Sequence, residues 1–138
     1  MNYKLFIPLS ALLLCSFLAP FTYAKSHKAK DGTTVTIPTE KRNVPASVKN
    51  EVYKQNGISK SERKNYVIDH KVPLELGGSN SKENLQPQKK AEAKTKDKWE
   101  NYLTSEVKAG KMTLGQAQSE IQQTHTASPP KKQARPAR

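Results

Sequence analysis

The chain has 138 residues, with 24 Lys and Arg against 12 Asp and Glu and a formal net charge of +12. This length suffices for one domain and excludes two. The charge predicts an anionic partner, with nucleic acid as the first candidate and an anionic membrane or wall polymer as the second, although it can also serve solubility alone.

Residues 1–24 have the pattern of a secretory signal peptide. Lys4 supplies the positive charge, 5–18 form the apolar segment, and Ala24 is the small residue after which cleavage is expected. A membrane anchor is the alternative, but the apolar run is short for a spanning helix and Pro8 interrupts it. The expected location is therefore secreted or periplasmic.

The only cysteine of the chain, Cys15, lies within this signal. The secreted form then suits an oxidising compartment but has no disulfide to hold it. The chain also lacks a Cys-x-x-Cys pair, so a structural zinc is not expected. The protein must fold on a small core, with a bound metal as a possible aid.

Residues 25–43 are interpreted as an N-terminal leader. Its first part, 25–31, is basic and is expected to be flexible, with His27 solvated. Residues 33–37 alternate Thr and Val, which favours a strand. A domain over 44–123 follows this leader.

The domain begins with a helix predicted over 45–56. Ser47 is a candidate N-cap residue, and Gly57 is expected to end the helix. Val48 and Val52 share one face of it, which favours a buried side.

A bent hairpin is predicted next. Residues 66–68 are aromatic and β-branched, so a strand should lead into the Asp-His pair at 69–70. Pro73 prevents regular pairing, and the Gly-Gly pair at 77–78 gives a turn that needs positive φ. Residues 85–88 can return as the second strand.

A long helix is predicted over 89–109, where nothing breaks the helical pattern. Trp99, Leu103 and Val107 follow each other at four-residue spacing and form its apolar face. Gly110 is a suitable C′ residue.

Thr113 and Gln116 form a capping box for a last helix that runs through Gln122. Residues 124–138 are rich in Pro, Lys and Arg and are predicted to be a disordered basic tail. His125 lies in this tail, far from the hairpin.

The hairpin carries residues that suit phosphodiester hydrolysis. His70 titrates near neutrality and can activate water. A divalent cation with few protein ligands keeps positions open for water and phosphate, and Asp69 is a hard oxygen ligand for it. Because neighbours on a strand point to opposite faces, both can serve one site only where the strand ends or bends. Asn84 can bridge the two arms through its side-chain amide.

The motifs of this hairpin resemble those of the HNH endonuclease family, which has the ββα-metal fold. The likeness covers about 44–121, most of the chain after the signal. It implies an α+β fold class, with a small hairpin–helix core and flanking helices. The matching stretches are Asp-His at 69–70, Val-Pro-Leu-Glu-Leu-Gly-Gly-Ser-Asn at 72–80, Asn-Leu-Gln-Pro at 84–87, and the helical stretches at 96–103 and 109–114.

The resemblance implies a role for each matching position. His70 would be the general base that activates water, and Asp69 would be a metal ligand. Asn84 would stabilise the loop and orient the base. The cofactor would be a divalent metal ion, with Mg²⁺ as the first choice, and the substrate would be DNA in preference to RNA.

The chain departs from the family at one position. The family has a third motif residue, a histidine near the start of the helix that completes the metal site, and Ala93 stands at the corresponding place. Three hypotheses remain open. An acidic residue replaces the histidine, with Asp97 as first choice and Glu92 as second. Alternatively, Lys94 or Lys96 neutralises the phosphate without a full metal shell. In the third, catalysis is lost and DNA binding is kept.

Five lysines at the start of the long helix are predicted to contact the nucleic acid backbone. Lysine binds phosphate without reading sequence, so weak specificity and a steep salt dependence are expected. The competing hypotheses are a catalytically inactive HNH-like nucleic-acid-binding protein and a basic envelope-binding protein. The lysines are Lys89, Lys90, Lys94, Lys96 and Lys98.

Overall fold

The structure is a computed structural model that describes residues 23–29, 32–123 and 127–130. This part of the chain contains two antiparallel hairpins and three α-helices, which confirms the predicted α+β class. The strands are β1 (Tyr23–Lys28), β2 (Thr34–Thr39), β3 (Tyr66–His70) and β4 (Leu85–Lys89), and the helices are α1 (Ala46–Gln55), α2 (Lys90–Lys108) and α3 (Leu114–Ile121).

The N-terminal hairpin is the largest departure from the sequence-based expectation. Lys25 of β1 lies opposite Ile37 of β2, so the leader predicted to be flexible is instead a strand over 25–28. Its side chains are mostly exposed, and main-chain pairing holds it, which is why its sequence shows no apolar alternation. Ile37 is only 1% exposed and lies in the main hydrophobic core, so the core extends beyond the expected domain boundary at Val44.

Several predictions fall on parts of the chain outside the described residues. These parts are 1–22 of the expected signal peptide, 30–31 of the leader, and 124–126 and 131–138 of the tail, which include His125. Within the described ranges, no helix combines the length and the apolar character that a bilayer crossing requires.

The second hairpin and the helix after it agree with the prediction. Strands β3 and β4 pair antiparallel, with Asp69 opposite Gln86 and His70 opposite Leu85. Helix α2 begins directly after β4 and contacts both strands. The Asp-His pair therefore lies at the end of one strand, beside the first turns of a basic helix.

The core lies between α2, α3, β2 and the loop of the second hairpin. Leu103 and Val107 of α2 are fully buried together with Leu76, Ala117 and Ile121. Trp99 packs against this cluster, so the predicted apolar face of α2 is confirmed. The opposite side of α2 carries the exposed lysines Lys90, Lys94, Lys98 and Lys108 away from the core.

The N-terminal ends of α3 and α1 test the capping residues predicted from the sequence. The capping box of α3 is confirmed, because Gln116 N donates to Thr113 Oγ1 at 3.2 Å and Thr113 N donates to Gln116 Oε1 at 2.9 Å. The expected N-cap at Ser47 is wrong. Pro45 occupies that position without a side-chain cap, because its restricted φ already suits the entry to α1.

The Gly-Gly turn meets two different requirements. Gly77 has a φ of +79°, which L-residues rarely adopt. Gly78 lacks positive φ, which corrects the expectation for the pair. A Cβ atom on Gly78 would lie 1.8 Å from the Val72 carbonyl oxygen and 2.9 Å from Asn84 Nδ2. Gly78 is therefore required because the backbone of the loop passes too close for any side chain.

Replacing Gly78 with Ala is expected to lower the free energy of unfolding by about 3 kcal/mol or more, because backbone must move to admit the methyl group. Gly115→Ala is the matched control, since a Cβ there meets nothing within 4 Å. On α3 it should be neutral or stabilising by up to about 1 kcal/mol. Urea denaturation of both variants measures the difference, and equal unfolding midpoints would contradict the prediction.

Candidate active site

A surface cavity of about 370 Å³ lies between β3 and the first turns of α2. Asp69 and Asp97 both line it, which brings together the two residues that sequence reasoning assigned to a metal. Arg42, Lys90 and Lys94 line the same cavity. Three cationic side chains thus accompany two carboxylates, and the charged groups that line the cavity are predominantly positive.

Lys96 differs from the other lysines of α2 because it is only 7% exposed. Its Nζ lies 3.0 Å from Asp69 Oδ2 and also donates to Glu100 Oε1. Burial raises the pKa of the Glu100 carboxyl, and the adjacent Lys96 opposes that rise. Lys96 therefore forms ion pairs with two carboxylates inside the protein, and it is not available for the surface contact with phosphate that the sequence predicted.

The other four lysines of the predicted nucleic-acid surface are exposed. Lys90 and Lys94 line the cavity with Asp69, and Lys89 precedes them at the end of β4. Lys98 is one turn further along, where its Nζ donates to Ser128 Oγ at 3.2 Å. The start of α2 thus presents a cationic surface next to the two cavity carboxylates.

His70, the predicted base, is the last residue of β3 and is 1% exposed. Its Nε2 lies 3.2 Å from Asn80 Oδ1, while Nδ1 is buried and has no hydrogen-bond partner among the described residues. Burial lowers the pKa of His70, with smaller lowering by Arg42 and Lys96, against the raising effects of Asn80 and Asp69. The lowered pKa favours the neutral imidazole, which is the protonation state that a general base requires.

Asp69 and His70 do not line the same cavity, although they are neighbours in the chain. Adjacent residues on a strand point to opposite faces, and β3 continues through both of them. Arg42 connects the two positions, because it lines the cavity and also acts electrostatically on His70. The structure thus unites Asp69 with Asp97 at the cavity, whereas the His70 side chain is buried and does not belong to the cavity lining.

Asn84 bridges the two arms of the hairpin, as predicted. Its Oδ1 accepts a hydrogen bond from Val72 N at 2.9 Å, and its Nδ2 donates to Val72 O and Ser79 O, both at 2.8 Å. Its own carbonyl accepts from Lys71 N at 2.7 Å. These four bonds hold the loop that follows His70 in one conformation.

The residue bonded to the imidazole is Asn80 and not Asn84, which the resemblance had implied as the residue that orients the base. Asn80 belongs to the motif at 72–80 but had no role in the sequence-based hypothesis. Glu40 and Arg42 were missed because they lie in the supposed leader. No local sequence pattern indicates a role for them, because they come close to Asn80 and the cavity only in the folded protein.

Asp69 and Asp97 supply the two carboxylates that line the cavity. In 23–29, 32–123 and 127–130, no three side chains of His, Cys, Asp or Glu form a metal-binding group. Ala93, where the family has its third motif residue, does line the cavity with Asp69 and Asp97. Glu92, the second choice for a replacement ligand, lines a different cavity. The two remaining carboxylates suit Mg²⁺, which binds through one or two carboxylates together with water and substrate phosphate.

The resemblance to HNH endonucleases rests on the sequence motifs alone. No protein-family model, curated protein or solved structure matches this chain.

Proposed function

We propose that this protein is a secreted or periplasmic HNH-like endonuclease that hydrolyses phosphodiester bonds of DNA. The observation that carries the proposal is His70. Its Nε2 is bonded to Asn80, its Nδ1 has no partner among the described residues, and it directly follows Asp69, which lines a cationic cavity. An imidazole nitrogen without a hydrogen-bond partner among the described residues, next in the chain to a residue of a cationic cavity, supports water activation once that nitrogen becomes accessible.

The hairpin β3–β4 and helix α2 would form the ββα core of this site. Lys90, Lys94 and Arg42 would bind the phosphate and offset the charge that develops on it during attack. His70 Nδ1 would accept the proton of the attacking water. Asn84 would keep the loop after His70 in place through its bonds to the backbone.

Asp69 and Asp97 would hold the divalent ion, with Mg²⁺ as the first choice. When bound, the ion would polarise the phosphate and stabilise the leaving oxygen. Three cations line the same cavity, and Lys96 already engages one oxygen of Asp69. We therefore expect weak metal binding in the free protein and stronger binding when the phosphate of the nucleic acid adds its own charge and oxygen ligands.

The burial of Nδ1 adds a requirement to this mechanism. Since no solvent reaches this atom in the present conformation, the side chains that cover His70 must separate when nucleic acid binds. Side-chain rearrangement at an interface is common on binding. The proposal thus includes a local opening at the end of β3.

The second candidate function is nucleic-acid binding without cleavage. The salt bridge between Lys96 and Asp69 favours it, because it gives the Asp69 carboxylate a stable partner without any metal. In this alternative the exposed lysines of α2 would still bind the phosphate backbone. A basic envelope-binding protein is the third hypothesis, and it predicts no affinity for DNA.

A plasmid assay with the mature protein tests these functions against each other. Conversion of supercoiled DNA to nicked or linear DNA in Mg²⁺ or Mn²⁺, blocked by chelator, supports the endonuclease. A gel shift at low salt without cleavage in any metal supports the binding protein. Absence of both cleavage and shift would contradict the two nucleic-acid hypotheses and direct attention to envelope polymers.

The double variant Lys90→Gln/Lys94→Gln is expected to weaken DNA binding by releasing two phosphate contacts. The slope of log K against log salt concentration should fall by about 0.9 for each lysine. Lys108→Gln is the matched control, because this exposed lysine ends the same helix about 27 Å away. Fluorescence anisotropy at several salt concentrations measures the slopes. If both variants change the slope equally, the cavity end of α2 is not the binding surface.

A further inference from the structure

Asn80 lies in the loop between β3 and β4 and provides the only hydrogen bond to the ring of His70 within the described residues. A hydrogen bond from a neutral imidazole can run in either direction. If Nε2 carries the proton it donates to an oxygen, and if Nε2 is bare it accepts from an amide nitrogen. The orientation of the Asn80 amide therefore decides which ring nitrogen holds the proton.

Three other partners determine that orientation. Asn80 Nδ2 lies 2.9 Å from Glu40 Oε2 and 2.9 Å from the carbonyl oxygen of Lys41, and both of these oxygens act only as acceptors once Glu40 is ionised. The main-chain N–H of Asn43 donates to Asn80 Oδ1 at 3.2 Å. A flipped amide would place its oxygen against two acceptors and its NH₂ against a donor. The carbonyl oxygen of Asn80 must therefore face His70.

Glu40 contributes more than one contact to this arrangement. The same carboxylate oxygen also accepts from the main-chain N of Asn80 at 2.8 Å. Hydrogen bonds to an ionised acceptor are stronger than neutral ones, so Glu40 holds both the backbone and the side chain of Asn80. Glu40 follows directly after β2, which means that the N-terminal hairpin acts on the imidazole from outside the ββα core.

We propose that Glu40 and Asn80 are positioning residues that hold His70 as the Nε2–H tautomer and leave the lone pair on Nδ1. The buried Nδ1, without a partner among the described residues, is then the proton acceptor. The catalytic consequence rests on the proposed function, but the tautomer itself does not. The proposal names one nitrogen for the base and assigns its control to two residues of different structural elements.

Nuclear magnetic resonance of ¹⁵N-histidine-labelled mature protein tests the tautomer directly. Long-range ¹H–¹⁵N correlations of the neutral ring distinguish Nε2–H from Nδ1–H. The wild type is expected to show the Nε2–H form of His70 almost exclusively. A wild-type ring that carries its proton on Nδ1 overturns the proposal without any variant.

The variants Asn80→Ala and Glu40→Ala test the control of the ring. Loss of one neutral hydrogen bond should shift the tautomer ratio roughly five- to tenfold towards Nδ1–H in Asn80→Ala, with a smaller shift in Glu40→Ala. Glu40→Gln retains an acceptor for Asn80 and should restore most of the wild-type ratio. Glu75→Ala is the control, since Glu75 is exposed in the same loop. A folded Asn80→Ala protein with the wild-type ratio overturns the proposal.

Cleavage assays on the same variants separate this proposal from the proposed function. A positioning role predicts that the turnover number falls in proportion to the fraction of His70 in the Nε2–H form. The KM for DNA should stay unchanged. If the wild type does not cleave but its ring shows the expected tautomer and responds to Asn80→Ala, the proposed function fails and the assignment of the tautomer stands. If the protein cleaves and the variants leave both tautomer and turnover unchanged, the positioning role fails alone.

Discussion

Replacing His70 with Ala is expected to reduce DNA cleavage by a factor of about 10² to 10⁴, the usual contribution of a general base. Affinity for DNA should change little, because the cations that line the cavity belong to other residues. Cleavage is measured on supercoiled plasmid at saturating metal, and affinity by gel shift in chelator. The ratio of the two effects distinguishes loss of chemistry from loss of binding.

The burial of His70 requires two further variants for a clear result. His70→Gln retains a polar side chain and an N–H donor for Asn80, but cannot take a proton at neutral pH. It should be as inactive as His70→Ala while remaining more stable. His27→Ala changes a partly exposed histidine of β1 and should keep full activity. A His70→Gln protein that nicks plasmid at the wild-type rate would show that the imidazole is not the base.

Replacing Lys96 with Met is expected to lower the free energy of unfolding by about 3–5 kcal/mol, the range for breaking a buried ion pair by removal of one partner. The ammonium lies between Asp69 and Glu100, and both carboxylates would lose their counter-charge inside the protein. Lys98→Met is the matched control two residues along α2. Because that side chain is exposed, its effect should stay within about 0.5 kcal/mol.

The cause of this destabilisation can be checked within the same experiment. If the stranded carboxylates are responsible, adding Asp69→Asn and Glu100→Gln to Lys96→Met should restore much of the stability, since no charge is then left without a partner. Urea denaturation with constant m values provides the comparison. Stability of Lys96→Met equal to that of Lys98→Met would contradict the prediction, because it would mean that this ion-paired group contributes nothing to the free energy of unfolding.

The hairpin and the long helix could be predicted because their signals are local. The β-branched run before Asp69, the Gly-Gly turn and the capping box at Thr113 each act over a few residues. The buried face of α2 can be predicted from the spacing of its apolar residues, because that face packs against whatever core the protein forms. These elements were therefore found with nearly correct bounds from the sequence.

The N-terminal strand could not be found in this way. Residues 23–28 have no apolar alternation, because β1 is held by hydrogen bonds to β2 and exposes most of its side chains. A strand of this kind depends on its partner and not on its own composition. From composition alone the same residues therefore resemble a flexible leader.

The sequence by itself determined the residue types of the candidate site, the strand that carries Asp69 and His70, and the basic helix beside it. Only the tertiary structure decided which polar groups meet. Lys96 binds Asp69 across 27 positions, and Glu40 binds Asn80 across 40. Local pattern sets backbone conformation, whereas a buried charge or amide takes whichever partner the folded chain brings within about 3 Å. The tertiary structure therefore makes Lys96 an internal counter-ion of Asp69. It also places Asn80 where it forms the only hydrogen bond to the His70 ring within the described residues.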